Sequence, residues 1–198
     1  MTQLATLLAI TANELDSLAQ SWAIIGGLAV SVHADPRFTR DIDIVIAIKN
    51  DFESEQLVYQ LQQRNFQVIT IIEQEAKGRL ATVRLTSTRS DSNNIFVDLL
   101  FASSGIEAEI VQAAIMIEVL PGQLAPIASV GHLIALKLLS RDDDRPQDSI
   151  DLVTLLRIST DEDIEIARES VRTIMQRGFN RGRSLEEHLQ ELIAQFTD

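Results

Sequence analysis

The chain has 198 residues, 45% of them apolar, no cysteine and a formal net charge of −12 at pH 7. That length allows one generous domain or a small domain with a helical extension, and the missing cysteines exclude a disulfide framework and any thiolate nucleophile or metal ligand. The acidic balance weighs against broad, sequence-independent binding to nucleic acid while leaving room for a local basic groove, and no stretch approaches the roughly 20 uncharged apolar residues of a membrane span.

An amphipathic helix is expected over Thr2 to Ala19, and its first residues lack the basic segment of a secretion signal, so a cytoplasmic location is expected. A short strand, Trp22-Ala23-Ile24-Ile25, leads into Gly26-Gly27, and Gly27 to Val32 reads as the opening of a short helix. Paired glycines at such a point let backbone N–H groups approach an anion. The alternative is a plain tight turn. After thirteen residues comes Asp41-Ile42-Asp43-Ile44-Val45-Ile46-Ala47-Ile48, in which every even position is isoleucine. One face of this strand must be buried, and period two puts Asp41 and Asp43 together on the other, roughly 7 Å apart. Two such carboxylates suit a hard divalent cation; a solvated strand edge is the other reading.

Asp51 to Gln63 follows as a helix with Leu57, Val58 and Leu61 as its apolar stripe. Strands are expected at Phe66 to Ile72 and Leu80 to Leu85, joined by Lys77-Gly78. Asn93-Asn94 turns the chain into Ile95-Phe96-Val97-Asp98-Leu99-Leu100-Phe101, apolar but for one aspartate. An acid inside an apolar strand is costly unless it is paired, hydrogen-bonded, metal-bound or able to reach solvent. From Ser129, a plausible N-cap, the pattern turns helical through Leu133, Ile134, Leu136, Leu138 and Leu139. Pro146 fits the first turn of the next helix, and two more cover Asp161 to Gln176 and Ser184 to Phe196. The expected organisation is an α+β part, residues 1–128, built on a mixed sheet flanked by helices, followed by a helical part, residues 129–198.

If the Asp98 strand lies beside the Asp41/Asp43 strand, three carboxylates converge and can hold two magnesium ions for in-line phosphoryl chemistry. Asp98 would then ligate the ion that activates an attacking hydroxyl, or receive its proton. Arg37, Thr39 and Arg40 precede the strand; the arginines either contact phosphate or neutralise neighbours such as Asp35. Lys137 is the only charge in the first three turns of an apolar helix, and is either a snorkelling side chain or a phosphate ligand. Asp148 and Asp151 share a face near a helix N-terminus, where acids are favoured; their alternative role is orienting Lys137, Arg145 or an acceptor. Of fourteen arginines against three lysines, Arg172, Arg177, Arg181 and Arg183 form a cluster that reads as a solvated helix face and loop or as a binding patch. His33 and His132 read as structural and His188 as a surface residue. No Ser/His/Asp arrangement, Walker lysine motif or dinucleotide fingerprint is present.

The set Gly26-Gly27 … Asp41-x-Asp43 … Asp98 resembles the nucleotidyltransferase superfamily of the polymerase-beta type. The strings Gly26-Gly27-Leu28-Ala29-Val30, Arg37-Phe38-Thr39-Arg40-Asp41-Ile42-Asp43, Lys137-Leu138-Leu139 and Arg145-Pro146-Gln147-Asp148 … Asp151-Leu152 look more particularly like the AbiEii branch of abortive-infection toxins. The resemblance covers about residues 22–157. It implies transfer of a nucleoside monophosphate from a triphosphate, ATP among them, to a hydroxyl on RNA, protein or a small molecule. Asp41, Asp43 and Asp98 would bind two Mg2+ ions, and Gly26, Gly27, Thr39, Arg40 and Lys137 the nucleotide. Arg37, Arg145, Asp148 and Asp151 would support the substrate, and an antitoxin protein is the implied partner. The alternative is a catalytically silent nucleotide- or partner-binding module on the same fold.

Overall fold

The computed structural model describes residues 2–34, 36–74, 78–89, 95–142 and 146–196. Thr2 caps α1 (Gln3–Ser17) by accepting from Ala5 N at 3.2 Å. The helix stops at Ser17, short of the expected Ala19, because Ala19 takes a left-handed φ of 52° that no helix can continue. β1 (Trp22–Ile25) is buried throughout and runs straight into α2 (Gly26–His33). β2 (Asp41–Ile46) alternates as its isoleucines require but ends two residues before Ile48. α3 (Asp51–Gln62) starts where the Asn50 side chain accepts from Glu53 N at 3.0 Å. β3 (Phe66–Gln74) and β4 (Arg79–Ser87) form a hairpin that turns at Gly78, with φ +58°. β5 (Phe96–Leu100) follows; Lys77, Asn93 and Asn94 lie outside the described residues.

Three further elements occupy a stretch where the sequence suggested none: α4 (Glu107–Gln112), β6 (Ile115–Leu120) and β7 (Gln123–Ile127). β7 contains Pro126, which argues locally against a strand. The strand survives because it meets β1 in a single register pair, Ile24–Ile127, while β6 supplies the rest of its pairing. Four helices complete the chain: α5 (Val130–Ser140), α6 (Pro146–Ile158), α7 (Asp161–Gln176) and α8 (Leu185–Ala194). α7 carries a capping box between Thr160 and Asp163, in which each residue satisfies the other's backbone N–H.

Among the described residues the strands form one seven-stranded mixed sheet, ordered β3-β4-β5-β2-β1-β7-β6. β2 runs parallel to β5 and β1 parallel to β7, with the other neighbours antiparallel. Ile42, Ile44 and Ile46 are fully buried, and one apolar core runs from them through Leu57 and Leu61 to Leu133, Leu155 and Ile174. The sheet and the later helices therefore share a core, and α5 reaches the end of β2 where the acids stand. No helix among the described residues is long and apolar enough to cross a membrane.

Candidate active site

Residues directly paired across a sheet point to the same face. In this sheet, Ile25 pairs with Asp43, Asp43 with Asp98, and Asp98 with Arg84, so four strands contribute one continuous rung. Asp41 lies one turn of the pleat away, opposite Phe96. Asp43 and Asp98 therefore become neighbours through strand order, as the sequence suggested. Arg84 joins them without having been singled out. Its Nε donates to Asp98 Oδ1 at 2.8 Å and its Nη2 to Asp98 Oδ2 at 2.6 Å. The same Nη2 lies 3.5 Å from Asp41 Oδ2, and the guanidinium stands 5.3 Å from the centre of the Phe96 ring. Strand alternation puts Arg84 on the polar face of β4, but only the register reveals its partner.

The Gly-Gly turn presses against this rung. Gly26 has φ +65°, and a Cβ built there would run into the Asp43 carboxylate. At Gly27 a Cβ would come within 2.5 Å of Arg37 Nη2. Both glycines are needed for close approach as well as for the turn. Gly26→Ala is expected to lower unfolding free energy by at least about 1–2 kcal/mol, the cost of forcing a Cβ into left-handed backbone. A urea unfolding curve checks this, and an unshifted midpoint would contradict it.

Two cavities meet at Asp41, Asp43 and Lys137. One, about 460 Å3, is lined by Gly27, Arg37, Phe38, Thr39, Arg40, Asp41, Asp43 and Lys137. The other, about 740 Å3, extends past Arg84 and Asp98 to Ser103, Ser104, Leu133, Leu136 and Asp148. Glu107 secures the Ser103–Gly105 loop after β5: its Oε1 accepts from the backbone N–H of Ser103, Ser104 and Gly105 at 2.7–3.2 Å.

Two of the first cavity's three cations, Lys137 and Arg37, are held by α6. Lys137 Nζ donates to Asp148 Oδ1 at 2.6 Å and lies 2.9 Å from Asp151 Oδ2, while Arg37 Nη2 reaches Asp151 Oδ2 at 2.7 Å. Gln147 Nε2 donates to the other Asp151 oxygen at 2.9 Å. Asp148 and Asp151 thus orient Lys137 as well as sitting in an N-terminal turn. Arg37 is engaged with Asp151, across the site, and Asp35 lies outside the described residues, as does Arg145. Thr39 Oγ1 donates to Asp41 O at 3.1 Å, and the Arg40 guanidinium stands 5.5 Å from the Phe38 ring centre.

The electrostatics follow from burial. Desolvation, with help from the nearby Asp98 charge, pushes the Asp43 carboxyl up to about 6. No hydrogen bond or ion pair reaches that carboxylate among the described residues. Asp41 is raised by the same desolvation, against the pull of Arg84. Burial also pushes Asp151 up, but hydrogen bonds from Gln147 and Lys137 and the charges of Lys137 and Arg37 outweigh it and hold the group below its ordinary value. Among the described residues no three acids or histidines lie close enough together to grip one ion.

His33, His132, Arg177 and Arg183 bind within the fold, whereas Arg181 lines the larger cavity beside the acids. His33 Nε2 lies 2.8 Å from Ala128 O, and His132 Nδ1 lies 2.8 Å from the Ser129 hydroxyl. That bond replaces the cap expected of the Ser129 side chain. Arg177 binds Glu109 at 2.6 Å and the Gly105 carbonyl, and Arg183 binds the carbonyls of Arg141 and Leu139.

A family description, Nucleotidyl transferase AbiEii toxin, Type IV TA system, matches residues 8–198. An antigenic nucleotidyltransferase-like protein from Paracoccidioides brasiliensis superposes with a TM-score of 0.55 at 17% identity, over 97% of this chain and 92% of that one. ANT(2")-Ia in complex with adenylyl-2"-tobramycin superposes with a TM-score of 0.50 at 18% identity, over 100% and 98% of the two chains. At these identities the likeness establishes the nucleotidyltransferase fold. Comparison with curated proteins returns no match.

Proposed function

This chain belongs to the AbiEii family of nucleotidyl transferase toxins, and on that premise we propose that it moves a nucleoside monophosphate from a nucleoside triphosphate to a hydroxyl acceptor. The observation that supports this most is the convergence, at one cavity, of Asp41 and Asp43 with the Gly27 backbone, Arg37 and Lys137. Backbone N–H groups at the start of α2 and the two cations suit a triphosphate. The carboxylates suit magnesium, which takes oxygen ligands.

The fit to a cation is specific at Asp43. A carboxyl raised to about 6, only partly offset by the nearby Lys137 and Arg84 charges, is a charge that a divalent ion would compensate further. Asp41 and Asp43 would hold that ion, which when bound contributes charge neutralisation at the phosphates. A second ion, held through Asp98, requires that carboxylate to leave Arg84. Lys137 and Arg37 would fix the β- and γ-phosphates, and the Gly26-Gly27 turn would set the α-phosphorus in line with the acceptor. The acceptor oxygen then bonds to the α-phosphorus, the bond to the bridging oxygen breaks, and pyrophosphate leaves. Asp98 lines the second cavity but not the first and, once freed from Arg84, would receive the hydroxyl proton. Catalysis on this reading comes from positioning and charge placement. The acceptor is an RNA end, a protein or a small molecule, and an antitoxin is the regulating partner proposed.

Stability linkage provides one test. A carboxyl raised in the folded state binds its proton more tightly there, so its contribution favours folding at low pH and is lost as pH rises through about 6. Magnesium reverses that loss only where Asp43 is charged. Adding Mg2+ is therefore expected to raise Tm clearly at pH 7.5 and little at pH 5. Equal shifts at the two pH values would place the ion elsewhere, and no shift would argue against a bound ion.

The direct test incubates the protein with each α-labelled triphosphate, Mg2+ and a cell extract. A labelled product removed by nuclease identifies RNA as acceptor, and one removed by protease identifies protein. Absence of label together with absence of any Mg2+-dependent nucleotide stabilisation would favour the silent binding module.

A further inference from the structure

Asp98 is only 9% exposed, and the arginine that satisfies it also approaches Asp41. The distances of 2.8 and 2.6 Å to the two Asp98 oxygens, and 3.5 Å to Asp41 Oδ2, place one guanidinium between the carboxylates. We propose that Arg84 and a divalent cation compete for Asp98, the guanidinium closing the third carboxylate to metal until it is displaced. The inference rests on the metal-dependent reading above and adds a built-in competitor to it.

Three physical points carry it. First, a guanidinium cannot give up its proton at any working pH, so it withdraws from a metal only by moving. Second, a doubly charged ion within about 4 Å of a guanidinium is repelled strongly enough to change its binding more than tenfold even at the dielectric constant of water. Asp98 therefore does not fit a second ion as arranged. Third, Arg84 has somewhere to go. Its side chain is 37% exposed and borders the larger cavity of about 740 Å3. Stacking over Phe96 and the forked pairing hold it in the closed position. The resting site is thus charge-balanced at Asp98 and unbalanced at Asp43, so a first ion is drawn to Asp43 and a second must evict Arg84.

Mn2+ alone, counted by electron paramagnetic resonance, is the probe. The parent protein is expected to bind one ion, lost in Asp43→Asn. Arg84→Gln is expected to bind Mn2+ about tenfold tighter or better and to gain a second equivalent, which disappears in Arg84→Gln combined with Asp98→Asn. Arg84→Lys keeps the charge without the fork and should fall between. Unchanged or weaker Mn2+ binding in Arg84→Gln that still unfolds cooperatively on heating overturns the proposal. So does a parent protein that already binds two equivalents. If Mn2+ binds to no variant at all, the metal-dependent reading falls with it; one equivalent lost in Asp43→Asn but indifferent to Arg84→Gln removes this proposal alone. Should Arg84→Gln fail to fold, the Nε–H resonance of Arg84 in the parent reports the same event. It is expected to shift when Mg2+ and a non-hydrolysable triphosphate are added together, and a static resonance overturns the idea.

Discussion

Replacing Asp43 by asparagine is expected to reduce nucleotide transfer by about a thousandfold or more while leaving the metal-free protein at least as stable as its parent at pH 7.5. The two halves have one cause. Asp43 stands at the meeting point of both cavities, beside Asp98 and against the Gly26 turn. Losing one pre-placed charged group of this kind costs roughly two to three powers of ten in rate, and losing the cation proposed to sit on it costs more. The stability half follows from burial, which holds the carboxyl near 6 and makes its ionised form unfavourable to folding at pH 7.5. Asparagine fills nearly the same volume with no charge to desolvate. Labelled transfer and a thermal melt check the pair. A variant that transfers at near-parent rates would overturn the assignment, and a large drop in melting temperature would show Asp43 to be a structural acid.

Asp151→Ala is expected to do the opposite: unfolding free energy falls by about 3–5 kcal/mol, the range for removing one partner of a buried ion pair. Asp151 has 2% of its side chain exposed and binds Lys137, Arg37 and Gln147 together. Its removal leaves two cations and an amide facing a hole. Because the native carboxyl sits below its ordinary value, its contribution is complete above that ordinary value and is lost as pH falls through the native one. The stability gap between the parent and Asp151→Asn should therefore narrow in acid. Urea unfolding at neutral and acid pH measures both. Nucleotide affinity should fall as well, since Lys137 and Arg37 owe their directions to this carboxylate. A protein unaffected in its urea midpoint would mean that water substitutes for Asp151.

The local signals in the chain were enough for the elements at the candidate site. The isoleucine alternation of residues 42–48 set β2 and the shared face of Asp41 and Asp43, and the Gly-Gly pair set the turn before α2. Long-range pairing was not legible. Arg84 reads as one polar residue on an amphipathic strand until β4 is laid against β5 in a definite register. Lys137 reads as a charge at the edge of an apolar stripe until α6 brings Asp148 and Asp151 to it. β6 and β7 were hidden for a different reason: Pro126 and a six-residue strand give weak local patterns, and the sheet itself stabilises them. The C-terminal arginines gave a charge cluster that the structure divides: Arg177 and Arg183 tie loops to carbonyls far along the chain, and Arg181 lines the larger cavity.

The pairing of Arg37 with Asp151 spans 114 residues, and this separation has a meaning in time. A chain emerging from a ribosome at about 5–20 residues per second has its glycine turn and all three acids long before α6 exists. During that interval Arg37 has no Asp151 carboxylate to aim it, and Lys137, itself made only shortly before α6, has neither of its acids. The Arg37–Asp151–Lys137 cluster is completed late, with α6. A translation product cut short before Asp151 would lack the carboxylate that aims Arg37 and Lys137, and on the reading proposed above it should bind nucleotide poorly.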